Sequence, residues 1–486
     1  MTTLSPFALA VLLFCALGVP LTGLFVSRFT RVAEYFHAGR RVSLPAFVAT
    51  LVCTWYGGIL AIGEYTWSWG LVNWLALGVF YYVFAAVYAL FLAGRVRQSA
   101  ALSIPEQIGR AHGPLAGRLA ALYALLMVSP APYLLMTAVI LGGVTNLPLA
   151  LTLPLSVLMI VAYVWRGGLR TMILTDFVQF ALMFGSFGAA LAWLVTHHGG
   201  AAFLAARLPA THLAIPGALS WSTIILWGFV ALWTLVDPGF HQRVAVARDA
   251  RTARRGIWIS IACWFVFDAL TTGCGLYARA LLPELARPVE AFPRLAALLP
   301  PALQGLFIGG MLATVFSTLD SMCFLSGSTF SRDLLRLRGD ERAAIRWGVL
   351  ATAALGALTA WRLPSVTQMW ITFASLGIPV LLPVFASALL RTEDSPAGGM
   401  FTRGLLSMLL AALASGGWMV AGFLRGGAWP DYPLGLEPLY PGLVAGVSPL
   451  LAGCRRIGQS QKPVSDEVSD TSSDTSSALC REKRTL

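Results

Sequence analysis

Charge is scarce in this sequence. Acidic and basic residues together make up 12% of the 486 residues, about half of what covers the surface of an ordinary soluble domain. Apolar residues make up 57% and the mean hydropathy is +0.74, so a soluble protein with one very large core is excluded in favour of a membrane protein. The seven cysteines are scattered, mostly within apolar runs, and give neither a disulfide framework nor metal-ligand spacing. Histidine is sparse too: His197, His198, His212, His112 and His241 fall in polar gaps, and no catalytic constellation forms around them, which argues against an enzyme. The opening Met1-Thr2-Thr3-Leu4 lacks the basic region of a signal peptide, so the first apolar run is expected to stay as a span.

What the chain does have is long apolar runs. Thirteen stretches of about 20 residues lie near 5-27, 46-70, 73-94, 116-143, 147-165, 170-196, 219-237, 256-279, 301-331, 343-362, 367-390, 404-424 and 434-453, each long enough to cross a bilayer as a helix. None of the 34 Lys and Arg residues falls in the interior of a run, and the gaps alternate between Arg-rich and Arg-poor. Counting by side gives 28 basic residues against 6, which predicts an outside N-terminus and an inside C-terminus. The formal charge of +12 is therefore spread along membrane borders and suits anionic lipid headgroups, not nucleic acid. Residues 1-456 are expected to form the transmembrane domain. Residues 457-486, rich in Ser, Thr and Asp, have little to bury and are expected to form a disordered cytoplasmic tail, too short for an appended catalytic domain.

Transport needs polar groups at membrane depth, and interrupted helices supply them. The second run contains Cys53-Thr54-Trp55-Tyr56-Gly57-Gly58 and then Gly63, read either as a break or as a small-residue packing patch. The seventh contains Gly228 and ends in Asp237-Pro238-Gly239, read either as a matching break or as a plain helix stop. Acidic residues at depth are few: Glu64, Asp268 and Asp320 are each a functional candidate or a structural hydrogen-bonding group, because an isolated buried carboxylate is costly. In the ninth run Thr314, Ser317 and Thr318 share a helical face through i,i+3 and i,i+4 spacing. Their oxygens suit a small monovalent cation; the other reading is hydroxyls bonded to their own helix.

Three stretches together resemble the sodium:solute symporter family. They are Gly167-Gly168 through Thr175-Asp176 to Gln179, Ser317-Thr318 continuing to Ser331-Arg332-Asp333, and Gln242-Arg243 followed by an Arg-rich loop. The resemblance covers about residues 5-455 and implies an all-α polytopic fold: a five-plus-five inverted repeat, with core repeats near 46-196 and 219-390 and a broken first helix in each. It implies sodium-coupled symport of a small organic solute by alternating access in the cytoplasmic membrane. The partners would be a bilayer and that solute, with no nucleic acid and no obligatory protein partner. The sodium ligands it implies are the carbonyls of Cys53, Tyr56 and Thr314 and the hydroxyls of Ser317 and Thr318. Asp176 matches the family's signature aspartate, implying a second ion or the inner pathway; a cap, or a salt bridge to Arg166 or Arg170, is the structural alternative.

The solute is expected beside the breaks, among Trp55, Gly57, Gly58, Leu60, Glu64, Trp233 and Thr234, with an amino-acid-like or carboxylate compound preferred. Two departures bear on its identity. Trp55 stands where the proline-carrier branch has an aspartate, and Leu60 stands where the sugar branch has its sugar-binding glutamine. The competing readings are a proton-coupled symporter using Glu64, Asp176 or Asp320, and a membrane sensor built on the transporter fold.

Overall fold

In the computed structural model, residues 4–14, 38–99, 101–165, 169–337, 339–390, 398–426 and 430–459 are described. Residues 460-486 of the expected tail and most of the first apolar run lie outside them, while 457-459 continue the last helix. Helices dominate: among the described residues β-structure is limited to one isolated bridge, Val42 to Ala247. In chain order the main helices are α1 (Leu44–Trp55), α2 (Ile59–Trp69), α3 (Val72–Gln98), α4 (Pro114–Thr145), α5 (Leu149–Val164) and α6 (Leu169–His198). They continue with α7 (Trp221–Val230), α8 (Trp233–Val236), α9 (Pro238–Val246), α10 (Ala250–Leu281), α11 (Pro301–Ser328), α12 (Glu341–Arg362), α13 (Val366–Leu390), α14 (Gly398–Gly426) and α15 (Leu439–Gln459).

Among the described residues nine helical stretches are long and apolar enough to cross a membrane, and the bent pair α1 and α2 makes a tenth. The run at 147-165 forms the shorter α5 of 16 residues, and the described part of the last run, Leu439–Leu451, is likewise short. A count of thirteen thus depends on those two helices and on the run near 5-27.

Burial sorts the helices into layers. In α11 the most apolar window is 83% buried, against 28% in α3, so α11 runs through the middle while α3 shows one face to the outside. Outward residues such as Leu355 and Leu424 are exposed and apolar, as lipid contact requires, and α6 packs along α11. Where α11 meets α12, the crossing is tight enough that a Cβ on Gly348 would stand 2.4 Å from the Gly327 carbonyl oxygen. Close backbone approach of this kind is how membrane helices gain dispersion energy when lipid removes the hydrophobic driving force between them.

Two spans are interrupted. The chain bends by 57° between α1 and α2, over a Tyr56-Gly57-Gly58 link that has left helical geometry at Tyr56 (φ −93°, ψ 13°). In the seventh span the α-helix ends at Val230, and Thr234 N–H and Leu235 N–H bond to Ala231 and Leu232, three residues back. The chain then restarts at Asp237. Its carboxylate caps α9 by accepting from Phe240 N–H at 2.5 Å, and Pro238 occupies the first turn, where no N–H is needed. Asp237-Pro238 therefore stops one helix segment and starts another within the same span.

One end of the bundle is tied by arginines. Val42 N–H bonds to Val246 O (3.2 Å) and Arg248 N–H to Val42 O (3.0 Å), while Arg40 Nε reaches Ala245 O (3.2 Å) and Arg97 Nη2 reaches Arg248 O (3.0 Å). Guanidinium groups here satisfy carbonyls left over where α9 ends. The knot joins the approach to α1, the end of α3 and the turn into α10.

Gly348→Val inserts three carbons into a crossing with no space for one. It is expected to cost about 1–3 kcal/mol and to lower the thermal unfolding midpoint in detergent. Gly416→Ala, where nothing lies within 4 Å, should leave that midpoint unchanged or slightly raised.

Candidate functional site

The last carbonyls of α1 have no helical N–H to receive, because the chain turns away after Trp55. Hydroxyls from α11 meet them. Ser317 Oγ donates to Cys53 O at 3.1 Å or Thr314 O at 2.9 Å, and Thr318 Oγ1 donates to Cys53 O at 3.1 Å or Thr54 O at 2.9 Å. The Thr314 hydroxyl is turned back to Gly310 O (2.7 Å), so that residue offers the group only its carbonyl. All of these residues except the half-buried Trp55 are buried. Gly57 is what lets the two elements approach: a Cβ there would fall 2.1 Å from Thr318 Oγ1.

The result is a compact set of carbonyl and hydroxyl oxygens at the carbonyl end of a helix, where the backbone dipoles add negative potential. Each hydroxyl keeps lone pairs beyond its single proton, so rotation about the side chain turns a donor to Cys53 into a ligand for a cation. Among the described residues no group of three His, Cys, Asp or Glu side chains forms a metal cluster, and an uncharged oxygen set suits a monovalent ion better than a divalent one. The Tyr56 side chain points elsewhere, its hydroxyl lying 2.8 Å from Thr271 Oγ1 and donating to Asp268.

Beside the break lies a cavity of about 110 Å³ with aromatic walls, to which Trp55, Tyr81, Tyr133, Trp233, Trp264 and Trp370 contribute. Among the described residues, Asp237 and Asp268 are its charged lining residues and no Lys or Arg lines it. Asp237 is occupied, accepting from Phe240 N–H and from Trp233 Nε1 (3.0 Å). Asp268 is held by the hydroxyls of Tyr56 and Tyr82, and Tyr82 is itself fixed by Trp74 Nε1 at 3.2 Å.

Of the expected solute-site residues, Trp55 and Trp233 line this cavity; Gly57, Gly58, Leu60, Glu64 and Thr234 are not among its lining residues. Gly58 sits against Trp370, where a Cβ would be 2.2 Å from the ring, and Leu60 and Thr234 are buried in the surrounding packing. Glu64 is half-buried, further along α2. The walls supplied by Tyr81, Tyr82, Trp264 and Trp370 were not read from the sequence. The i,i+4 spacing of Trp264 and Asp268 was the available signal, since it sets a ring and a carboxylate on one face of α10.

A third polar group lies deeper, between α1, α6, α9 and α11. Arg243 is 1% exposed and donates from Nη2 to Thr54 Oγ1 (3.0 Å) and Ser321 Oγ (2.5 Å). Ser321 also lies 3.1 Å from Asp320 Oδ1. The Thr50 hydroxyl faces Asp176 and the Tyr163 hydroxyl faces Asp320, and both aspartates lie within electrostatic reach of Arg243. The buried guanidinium thus reaches Asp320 through the Ser321 hydroxyl and acts on Asp176 through space. The pairing of Asp176 with Arg166 or Arg170 falls outside the described side chains, as does Gly167-Gly168.

Comparison with known proteins adds the following. The model of the sodium:solute symporter family matches residues 35–390. The sodium/pantothenate symporter of Escherichia coli (strain K12) is 25% identical over 384 residues, covering 72% of this chain and 77% of that protein. The high-affinity proline transporter of Bacillus subtilis (strain 168) is 27% identical over 252 residues, covering 46% and 52%. Among solved structures, a sodium-coupled sialic acid symporter, substrate-bound and outward-open, aligns with a TM-score of 0.73 at 17% identity, covering 94% of this chain and 98% of that one.

Removing the Arg243 guanidinium would strand two buried carboxylates and two hydroxyls. Arg243→Ala is expected to destabilise the protein by about 3–5 kcal/mol. Arg243→Lys should lose less, since it keeps the charge but not the fork that reaches Thr54 and Ser321. Thermal unfolding in detergent measures both.

Proposed function

This chain belongs to the sodium:solute symporter family, and from that premise we propose that sodium bound between the end of α1 and α11 drives symport of a small organic solute held in the aromatic cavity. The protein is a multi-pass membrane transporter with a five-plus-five inverted-repeat fold, and not an enzyme. The observation that carries the ion site is the convergence of the Ser317 and Thr318 hydroxyls on the Cys53 and Thr54 carbonyls. The proposed ligands are Ser317 and Thr318 with the carbonyls of Cys53, Tyr56 and Thr314. Asp176, a buried carboxylate facing Asp320 and the Thr50 hydroxyl, is proposed as part of the inner ion pathway or a second ion position.

The uneven basic residues support an outside N-terminus and an inside C-terminus, which sets the release side at the Arg-rich end. A membrane potential of 100 mV contributes about 2.3 kcal/mol per charge, enough for about fifty-fold solute accumulation before the sodium gradient is counted. One well-made cation site is therefore sufficient to drive uptake. An amino-acid-like solute would bring its ammonium to Asp268, which lines the cavity, and not to Glu64. A plain carboxylate would meet no cationic side chain there.

Ion and solute are linked through α1. A cation at the oxygen set would pull the Cys53 to Tyr56 backbone toward α11, and the side chains of Trp55 and Tyr56 form part of the solute cavity. Binding of one thus organises the site of the other, the differential affinity that alternating access requires.

In proteoliposomes holding the purified full chain, solute counterflow should follow an imposed sodium gradient at fixed pH. Ser317→Ala combined with Thr318→Ala should raise the half-saturating sodium concentration at least tenfold, or abolish the sodium dependence. Uptake that follows a proton gradient and ignores sodium would instead move the coupling to Asp176 or Asp320.

A further inference from the structure

We propose that the solute is a compact organic cation whose nitrogen carries methyl groups, a quaternary or highly methylated ammonium seated against Asp268. The proposal rests on the transporter reading above and concerns what the cavity recognises.

Two carboxylates face this space, and they differ in what neutralises them. Asp237 is the cap of α9, stabilised by a backbone N–H at 2.5 Å and the Trp233 indole at 3.0 Å, and it lies within electrostatic reach of Arg243. Asp268 is 4% exposed and its hydrogen-bond partners are two phenols, Tyr56 and Tyr82. Among the described residues no Lys or Arg lines the cavity. An ionised carboxylate at membrane depth is stabilised by a counter-charge, and since none of the described residues lining this cavity is cationic, that charge is left to the ligand.

The walls then select among cations. Trp55 packs edge-to-face on Tyr81 at 6.0 Å and lies 6.1 Å from Trp264, and Tyr133, Trp233 and Trp370 line the same space. Ring faces attract a positive charge within about 6 Å of their centroids. A primary ammonium carries three N–H groups, each needing an acceptor when desolvated, and few acceptors are free here. Two tyrosine hydroxyls already donate to Asp268, and Thr54 Oγ1 accepts from Arg243. A methylated nitrogen has fewer or no N–H groups to satisfy, and it spreads its charge over methyls that pack on the rings. The cavity therefore offers charge and apolar contact where it offers little hydrogen bonding.

The test uses the purified full chain in proteoliposomes, with labelled choline counterflow in sodium and competition by dimethylethanolamine, ethanolamine, glycine betaine, proline and pantothenate. Affinity should rise with methylation, choline exceeding ethanolamine at least tenfold, and pantothenate should not compete. Asp268→Asn should weaken choline at least tenfold. Sodium binding, read from the change in tryptophan fluorescence on sodium addition without solute, should persist in that variant, which also shows that it is folded. If wild-type protein responds to sodium but transports pantothenate or proline and ignores choline, the ammonium inference is overturned while the transporter reading stands. Choline movement without any sodium response would overturn the sodium reading and leave the inference intact. Equal competition by ethanolamine and choline would overturn the preference for methylated nitrogen.

Discussion

An interrupted helix inside a bilayer leaves backbone carbonyls with no water to accept from, and this constraint organises the centre of the molecule. The carbonyls of Cys53 and Thr54 would each cost several kcal/mol if left bare in hydrocarbon. They are met by hydroxyls on α11, which obliges α11 to run close beside the break and to be the most enclosed of the long helices. The close approach in turn excludes any side chain at position 57. One unsatisfied stretch of main chain thereby accounts for a glycine, two hydroxyl residues and the position of the central helix. Because hydroxyls can exchange a carbonyl for a cation, the solution to a folding problem is also the arrangement on which the proposed ion site rests.

The buried charges obey the same economy. Arg243, Asp176 and Asp320 sit where ionised groups are expensive, and the guanidinium reaches Thr54 and Ser321 while lying near both carboxylates. Thr54 is the meeting point of the two networks, its carbonyl receiving Thr318 and its hydroxyl receiving Arg243. A shift of the α1 end relative to α11 must therefore disturb both the oxygen set and the charge cluster. Buried ionic groups are weak sources of stability but good registers of position, and here the register lies between the two broken spans, since Arg243 belongs to the restarted half of the seventh.

Much of this was legible in the sequence because the bilayer makes polar residues conspicuous. Long apolar runs, glycine pairs and Asp-Pro-Gly within a span, and a hydroxyl stripe at helical spacing are each unusual against a hydrophobic background, and they led to the broken spans and to Ser317 and Thr318. The cavity walls were not legible for the converse reason. An aromatic residue in a membrane span is ordinary packing, so Tyr81, Trp264 and Trp370 carry no signal until the helices are brought together. Glu64 was conspicuous as the acidic residue nearest the glycines, but the helical turn past Gly63 carries it away from the cavity. Asp268 was equally visible, and only its placement opposite Tyr56 gives it a role distinct from the other buried carboxylates.

The proposed coupling of ion to solute rests on how the residues at the break divide their atoms. Cys53 and Thr54 present carbonyls to α11, while Trp55 and Tyr56, the next two residues, present rings to the cavity. Their main chain is non-helical or at a helix end, so it can reorient without breaking a ladder of hydrogen bonds. A cation that fixes the carbonyls fixes the orientation of the rings at a distance of one or two peptide planes, and Tyr56 carries that constraint on to Asp268 through its hydroxyl. No long pathway is needed: the proposed ion ligands Cys53 and Tyr56 and the cavity residues Thr54, Trp55 and Tyr56 fall within four consecutive positions. The remainder of the fold, including the arginine knot and the packed crossings of α11, keeps those residues where both ligands can find them.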